Sequence, residues 1–225
     1  KHPLDKERST GGSSGGCAGF TSIVDFPHLS IAESTGGSIA VPAAFCGVAG
    51  LTPTYGLVSR YGLIDYASSL DKIGTMAQDP EDTFFLLDII SGYDEKDATS
   101  LKMEKSKNKE IKKIAFIKET MDINEDFTRL IEKKVGDFDI VSIPSIKNYA
   151  LPAYHIIAFS EASTNLARYT GLRYGAADKI DSLYSEYFSK IRSHYFEKET
   201  KRRIILGTFA RMAGFREAYY LKALK

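Results

Sequence analysis

The chain has 225 residues, 43% of them hydrophobic and 26% charged, with a formal net charge of +1. That length supports one substantial core, or one core with a cap, and the even charge balance excludes a strong field for nucleic acid or acidic lipid. No apolar run approaches the ~20 residues needed to span a bilayer, and the polar start from Lys1 to Ser9 is not a signal peptide.

From Gly11 to Gly50 the chain is rich in Gly, Ser and Ala, with Phe20, Ile23, Val24, Phe26, Leu29, Ile31, Ile39, Val41, Phe45 and Val48 between them. A flexible linker does not carry that much apolar surface, so the stretch reads as a buried, tightly turned core. Gly56 to Leu63 reads as a short strand or hairpin arm. Asp79-Pro80-Glu81 starts a helix, with Asp as N-cap, Pro at the first helical position and acidic residues in the first turn. The apolar run Phe84 to Ile90 continues it, and Gly92 is expected to cap its end. Tyr93 to Lys113 is polar and Lys-rich, an exposed connection. A β-α-β pattern follows: strand Ile114 to Ile117, helix Phe127 to Val135, strand Asp139 to Ile143. Further helices are expected over Tyr154 to Tyr169, ended by Gly171, over Ile180 to Ile191, and over Lys201 to Lys225 with interruptions at Gly207 and Gly214. Alternating strands and helices point to an α/β fold.

Cys17 and Cys46 sit among small and apolar residues without CxxC spacing, the pattern of reduced thiols in a cytosolic protein. His2, His28, His155 and His194 are scattered with no ligand spacing, so no metal is expected. No GxxxxGK[ST] phosphate loop is present, so the chain should not bind ATP itself.

Two glycine-serine clusters stand out: Gly11-Gly12-Ser13-Ser14-Gly15-Gly16, and Thr35-Gly36-Gly37-Ser38 leading into Ile39-Ala40-Val41-Pro42-Ala43-Ala44-Phe45-Cys46-Gly47. Either alone reads as a turn. In this order they resemble the amidase signature family. Val58-Ser59-Arg60-Tyr61-Gly62-Leu63, Ala67 to Gly74, Glu161 to Tyr169, Gly171 to Gly175 and Lys201 to Thr208 extend the resemblance to the A subunits of glutamyl-tRNA(Gln)/aspartyl-tRNA(Asn) amidotransferases. The resemblance implies an α/β fold with a mixed, mainly parallel sheet and helices on both faces. It makes residues 1–225 the central part of a single amidase domain, with 151–225 as a helical cap region and both ends cut.

It also implies a Ser-cisSer-Lys triad, with Ser38 as nucleophile and Ser13 as the bridging serine whose peptide bond is cis. The family's lysine lies upstream of the first cluster and has no counterpart here. A serine hydroxyl needs a base to become a nucleophile, and a neutral, desolvated lysine can serve. Backbone N–H groups of Thr35, Gly36, Gly37 and Ser38 can face the oxyanion of a tetrahedral intermediate, each donor being worth ~3 kcal/mol of barrier. By resemblance, Arg203 holds the α-carboxylate of glutamine and Tyr154 lines the same pocket. The plain alternatives are a surface arginine on a helix and an ordinary core or interface aromatic.

The chain departs from the family at Ser34, where Asp is usual, and at Ala40, where Arg is usual. The implied activity is glutamine hydrolysis through a seryl ester, with ammonia passed to a B subunit. That partner uses ATP and Mg²⁺ to amidate Glu-tRNA(Gln), and a small C subunit joins the two. Contact with tRNA would be indirect, no membrane is involved, and the setting is the cytoplasm. A stand-alone amidase for another amide, and a non-catalytic fragment or pseudo-enzyme, remain alternatives.

Overall fold

A computed structural model describes residues 1–102, 113–121 and 125–225. Helix α1 (Gly15–Thr21) is followed by strand β1 (Ser30–Ser34), helix α2 (Ala40–Cys46), strand β2 (Ala49–Leu51) and strand β3 (Lys72–Ala77). The three strands form one sheet in the order β1-β3-β2. Both β1 and β2 run antiparallel to β3, so they run parallel to each other. This is a β-α-β unit, β1-α2-β2, with β3 inserted between its strands. Both described ladders of this sheet are antiparallel, β3 arriving through a stretch with no described helix, so the parallel relation expected of the fold appears here between β1 and β2, which flank β3. A parallel neighbour would need a crossover.

Helices cover both faces of β3. Met76 packs with Ala18, Ala32, Ile39 and Cys46 in the buried cluster beneath α1 and α2. Its neighbour Thr75 points the other way, as successive strand residues must. There its hydroxyl donates to Thr83 O at 2.9 Å, inside helix α3 (Pro80–Ile90). The start of α3 is as expected: Asp79 Oδ1 accepts from Asp82 N–H at 2.9 Å. Its end is not. Ser91 leaves the helix in an extended conformation, and Gly92 N–H donates to Leu57 O at 3.0 Å instead of closing the helix. Residues 56–63 form turns with a single bridge, Val58 to Ser91, rather than a strand.

The Gly11 to Gly50 stretch is only partly buried. Small residues and Ile39 fill its core, while Phe20, Ile23, Phe26, Ile31 and Phe45 are each half exposed or more. Helical and strand periods explain this. Gly15, Ala18 and Gly19 occupy the inner face of α1, leaving Phe20 outside. Ala32 points inward from edge strand β1, so Ile31 points out.

Beyond the sheet, β4 (Ala115–Ile117) leads into α4 (Lys118–Met121), and α5 (Glu125–Val135) leads to β5 (Asp139–Val141), which pairs parallel with β4. The β-α-β pattern is as read. The connection from Tyr93 is less free than expected: Arg60 and Asp97 form a mostly buried ion pair at 3.9 Å, and Asp97 also accepts from Arg60 N–H at 2.8 Å. Residues 103–112 of that connection lie outside the described ones.

Helix α6 (Leu151–Asn165) ends in a 3-10 turn, Leu166–Arg168, before Gly171. Helices α7 (Tyr184–Tyr195), α8 (Lys198–Arg211) and the short α9 (Tyr220–Ala223) complete the chain. α7 starts later than expected because residues 178–182 stay irregular, with Tyr187 Oη donating to Asp178 O at 3.1 Å. Gly214, with φ +86°, lies in the break after α8. Gly207 does not interrupt α8; it is buried, and a Cβ there would collide with the carbonyl of Phe159 on α6. The absence of a side chain lets the two helices touch backbone to backbone. No described helix is long and apolar enough to cross a membrane.

An alanine at an unobstructed helical glycine stabilises by up to ~1 kcal/mol. Gly207→Ala should do the reverse here, costing about 1–3 kcal/mol from overpacking, seen as a lower urea midpoint. A raised midpoint would show that α6 and α8 stand further apart.

Candidate functional site

The first glycine-serine cluster lies across the start of α2. Gly11 has φ +72°, a backbone conformation that disfavours side chains. A Cβ there would stand 3.1 Å from Val41 Cγ1 and 3.3 Å from Phe45 Cδ2. The Gly12–Ser13 peptide is cis. Two bonds then seat the cluster on the second one. Ser14 N–H donates to Ser38 O at 3.2 Å, and Ser14 Oγ donates to Glu33 O at 3.0 Å. Ser38 is thus bonded to the residue that follows Ser13, with Ser13 exposed and Ser38 half-buried. Among the described residues their hydroxyls make no hydrogen bond to each other.

The second cluster is the turn between β1 and α2. Gly37 O accepts from Val41 N–H at 2.8 Å, which starts the helix immediately after Ser38. Among the described residues, nothing accepts from the backbone N–H of Gly36, Gly37 or Ser38. Thr35 is buried, and its Oγ1 lies 2.7 Å from Asp71 Oδ1 and 3.0 Å from Glu33 Oε1. Asp71 is fully buried and also accepts from the N–H groups of Tyr66 and Ala67 at 2.8 and 2.9 Å. Ser34, where the resemblance led to expect Asp, is buried and donates weakly to Gly36 O at 3.4 Å.

Tyr154 reaches this turn from α6. A Cβ on Gly36 would lie 2.8 Å from Tyr154 Cζ and 3.0 Å from its Oη, so a glycine is what admits the phenol. Arg203 approaches from α8 and is neither a free surface arginine nor fully buried. Its Nε donates to Glu199 Oε1 at 2.7 Å and its Nη1 to Tyr66 Oη at 3.1 Å. Its guanidinium also stacks over the rings of Tyr66 and Phe159, at 5.5 and 5.6 Å from their centroids. Bonds to Arg202 and Arg203 draw the Glu199 carboxyl down to about 2. Burial pushes the phenols of Tyr66 and Tyr154 up, while the Arg203 charge pulls both back.

Several of the residues expected from sequence are therefore connected: Ser38 lies in the turn with Thr35, Gly36 and Gly37 and is bonded to the residue after Ser13, Tyr154 lies over Gly36, and Arg203 is within electrostatic reach of Tyr154. Three further residues join them. Tyr66 binds Arg203 and Asp71 binds Thr35 across long sequence separations, while Glu33 meets Thr35 from two residues away; only the position of Tyr66 and Asp71 around a matched block hinted at them. The loop that carries Tyr66 is pinned to α6. Asn165 Nδ2 donates to Tyr66 O at 3.2 Å, and Glu161 Oε2 accepts from Ser69 N–H at 2.9 Å. Among the described residues no group of three or more His, Cys, Asp or Glu is placed to hold a metal ion.

The amidase family matches residues 1–225. The A subunit of glutamyl-tRNA(Gln) amidotransferase from Archaeoglobus fulgidus is 49% identical over 233 residues, and that from Persephonella marina 48% over 241. Each alignment takes in the whole chain and 50% or 49% of the relative, so the chain spans about half the length of the curated relatives it matches. Among solved structures, the A subunit of glutamyl-tRNA(Gln) amidotransferase from Thermotoga maritima has a TM-score of 0.70 at 36% identity, with 100% of this chain and 47% of that one covered. Peptide amidase from Stenotrophomonas maltophilia has 0.69 at 25%, with 99% and 48% covered.

Removing the Arg203 charge tests the cluster without reference to activity. In Arg203→Leu the phenolates of Tyr66 and Tyr154 lose a stabilising cation, so both should ionise at still higher pH, read from ultraviolet phenolate absorbance. Unchanged midpoints would place the guanidinium away from both rings.

Proposed function

The chain belongs to the amidase family, and on that premise we propose that it carries the nucleophile of a glutamine-hydrolysing subunit of a tRNA-dependent amidotransferase. The observation that supports this best is the junction of the two clusters. The Ser14-to-Ser38 bond joins the residue after Ser13 to Ser38, next to backbone N–H groups that no described residue engages. The identity of 43–49% to curated A subunits, against 25% to the peptide amidase, favours this substrate over simpler amides. Residues 1–225 form the centre of the amidase domain, and 151–225 its cap.

In the proposed reaction Ser38 Oγ attacks the side-chain amide carbon of glutamine, and its proton passes to Ser13 and on to a lysine base. The carbonyl oxygen becomes an oxyanion received by the N–H groups of Thr35, Gly36 and Gly37. Preorganised donors of this kind stabilise charge as it develops. As the relayed proton passes back to the leaving nitrogen, collapse of the intermediate breaks the carbon–nitrogen bond and releases ammonia, leaving a glutamyl ester on Ser38. Water then hydrolyses the ester to glutamate. Arg203 receives the substrate α-carboxylate in a charge-assisted bond, and Tyr154 walls the same pocket over Gly36. This chain needs no cofactor. ATP and Mg²⁺ act in a B-type partner that receives the ammonia and holds the tRNA, with a small C-type subunit joining the two. The free thiols of Cys17 and Cys46 and the translational role favour the cytoplasm.

The test is ammonia release from glutamine by the full-length protein with its partners. Ser38→Ala should lower kcat on the order of a million-fold. Arg203→Ala should raise KM for glutamine roughly ten- to a hundred-fold, the worth of a charge-assisted bond. Vigorous hydrolysis of simple alkyl amides by the full-length protein without its partners would favour a stand-alone amidase instead. A Ser38→Ala variant as active as the parent would remove the nucleophile.

A further inference from the structure

Thr35 Oγ1 stands between two carboxyl groups, 2.7 Å from Asp71 and 3.0 Å from Glu33. A threonine hydroxyl has one proton to donate and lone pairs with which to accept, so only one of the two can receive that proton. Asp71 is the acceptor. Its contact is the shorter, and two backbone N–H groups already converge on its other oxygen, an arrangement that stabilises a carboxylate. The contact to Glu33 then has no proton in it unless Glu33 brings one. An ionised Glu33 would set an anionic oxygen against the Thr35 lone pairs, with the Asp71 charge just beyond.

We propose that Glu33 is a protonated positioning residue. Its carboxyl O–H donates to Thr35 Oγ1, Thr35 O–H donates to Asp71, and this directed chain holds the turn that carries Gly36, Gly37 and Ser38. The surroundings agree. Burial pushes the Glu33 carboxyl above the ordinary glutamate range and outweighs the Thr35 contact, which taken as a donor to a carboxylate would lower it; Asp71 adds to the rise and Lys72 opposes it. Lys72 Nζ is itself turned to Leu70 O at 2.8 Å. Tyr154, from α6, is the other titratable group that feels Glu33, and it stays neutral. Ser34 has no carboxyl to offer, so the second acid at this turn comes from one residue earlier. Because Ser14 Oγ donates to Glu33 O, the same residue also ties the first cluster to the second.

The location of the proton stands on geometry alone; its consequence for catalysis rests on the glutaminase proposal. Carbon-13 NMR of side-chain carboxyls in the full chain reads the proton directly, with the Glu33 signal assigned by its loss in Glu33→Gln. Its midpoint should lie above those of exposed glutamates. A midpoint at the ordinary value of about 4.3 overturns the proposal. Thr35→Val then reads the direction of the bond. Removing an acceptor from a neutral carboxyl lowers the midpoint, whereas removing a donor to a carboxylate raises it, so a rise is contrary. Thr35→Ser should return the parent value, and the parent midpoint decides the matter if the valine variant does not fold. For glutamine hydrolysis, Glu33→Ala should lower kcat roughly ten- to a hundred-fold with little change in KM, the scale on which slight misplacement acts. Glu33→Gln, which still donates, should recover most of that. Parent kcat should fall as pH rises through the Glu33 midpoint, and that of Glu33→Gln should not. A glutamine variant as impaired as the alanine one contradicts a positioning role. A parent that does not hydrolyse glutamine contradicts the glutaminase proposal and leaves the titration intact.

Discussion

The hydrogen bond from Ser14 N–H to Ser38 O, 3.2 Å long, joins two loops directly at the serine clusters. One is the glycine-rich entry to α1 and the other is the turn into α2. Its neighbour, Ser14 Oγ to Glu33 O, fixes the same loop to the end of β1. With both made, the loop that carries Ser13 is fixed to the turn that carries Ser38, and the N–H groups of Gly36 and Gly37 in that turn have no acceptor among the described residues. Glycine matters here for proximity more than for flexibility. A side chain on Gly11 would crowd α2, and one on Gly36 would meet Tyr154.

The turn is anchored from below by a buried charge. A buried carboxylate is costly unless its hydrogen-bonding capacity is met, and Asp71 meets it with the Thr35 hydroxyl and two backbone N–H groups. It therefore couples β1, through Thr35, to the loop that carries Tyr66. Tyr66 passes the connection on to Arg203. Arg203 can reach this far because α8 lies against α6 at Gly207. The wall that holds Arg203 and the turn that carries Ser38 are thus parts of one polar network, laid over a core of small residues, Ile39 and Met76.

What could be read from sequence divides by range. The start of α3 was legible because Asp79, Pro80 and Asp82 interact within one turn. The two serine clusters stood out as an ordered pair, Arg203 through its place in a matched block, and Tyr154 through the resemblance alone. Strand direction in the main sheet was not, since nothing near β3 announces that it will insert between β1 and β2. Gly207 looked like a break because its reason lies on another helix. Burial from Gly11 to Gly50 was overestimated because apolar count says nothing about which face of α1 or β1 turns outward. Tyr66, Asp71 and Glu33 escaped notice for a similar reason: an Asp or Tyr near a motif is ordinary until its partners are known, and Arg203 lies far along the chain from Tyr66.

The most direct trial of the serine pair is covalent. An alkyl fluorophosphonate reacts with a serine only where that hydroxyl has been made nucleophilic and an oxyanion can be received. After treatment of the full-length protein, peptide mapping should find the adduct on Ser38, and Ser13→Ala should slow its formation. An adduct on another serine with Ser38 unmodified would contradict the assignment of Ser38 as nucleophile.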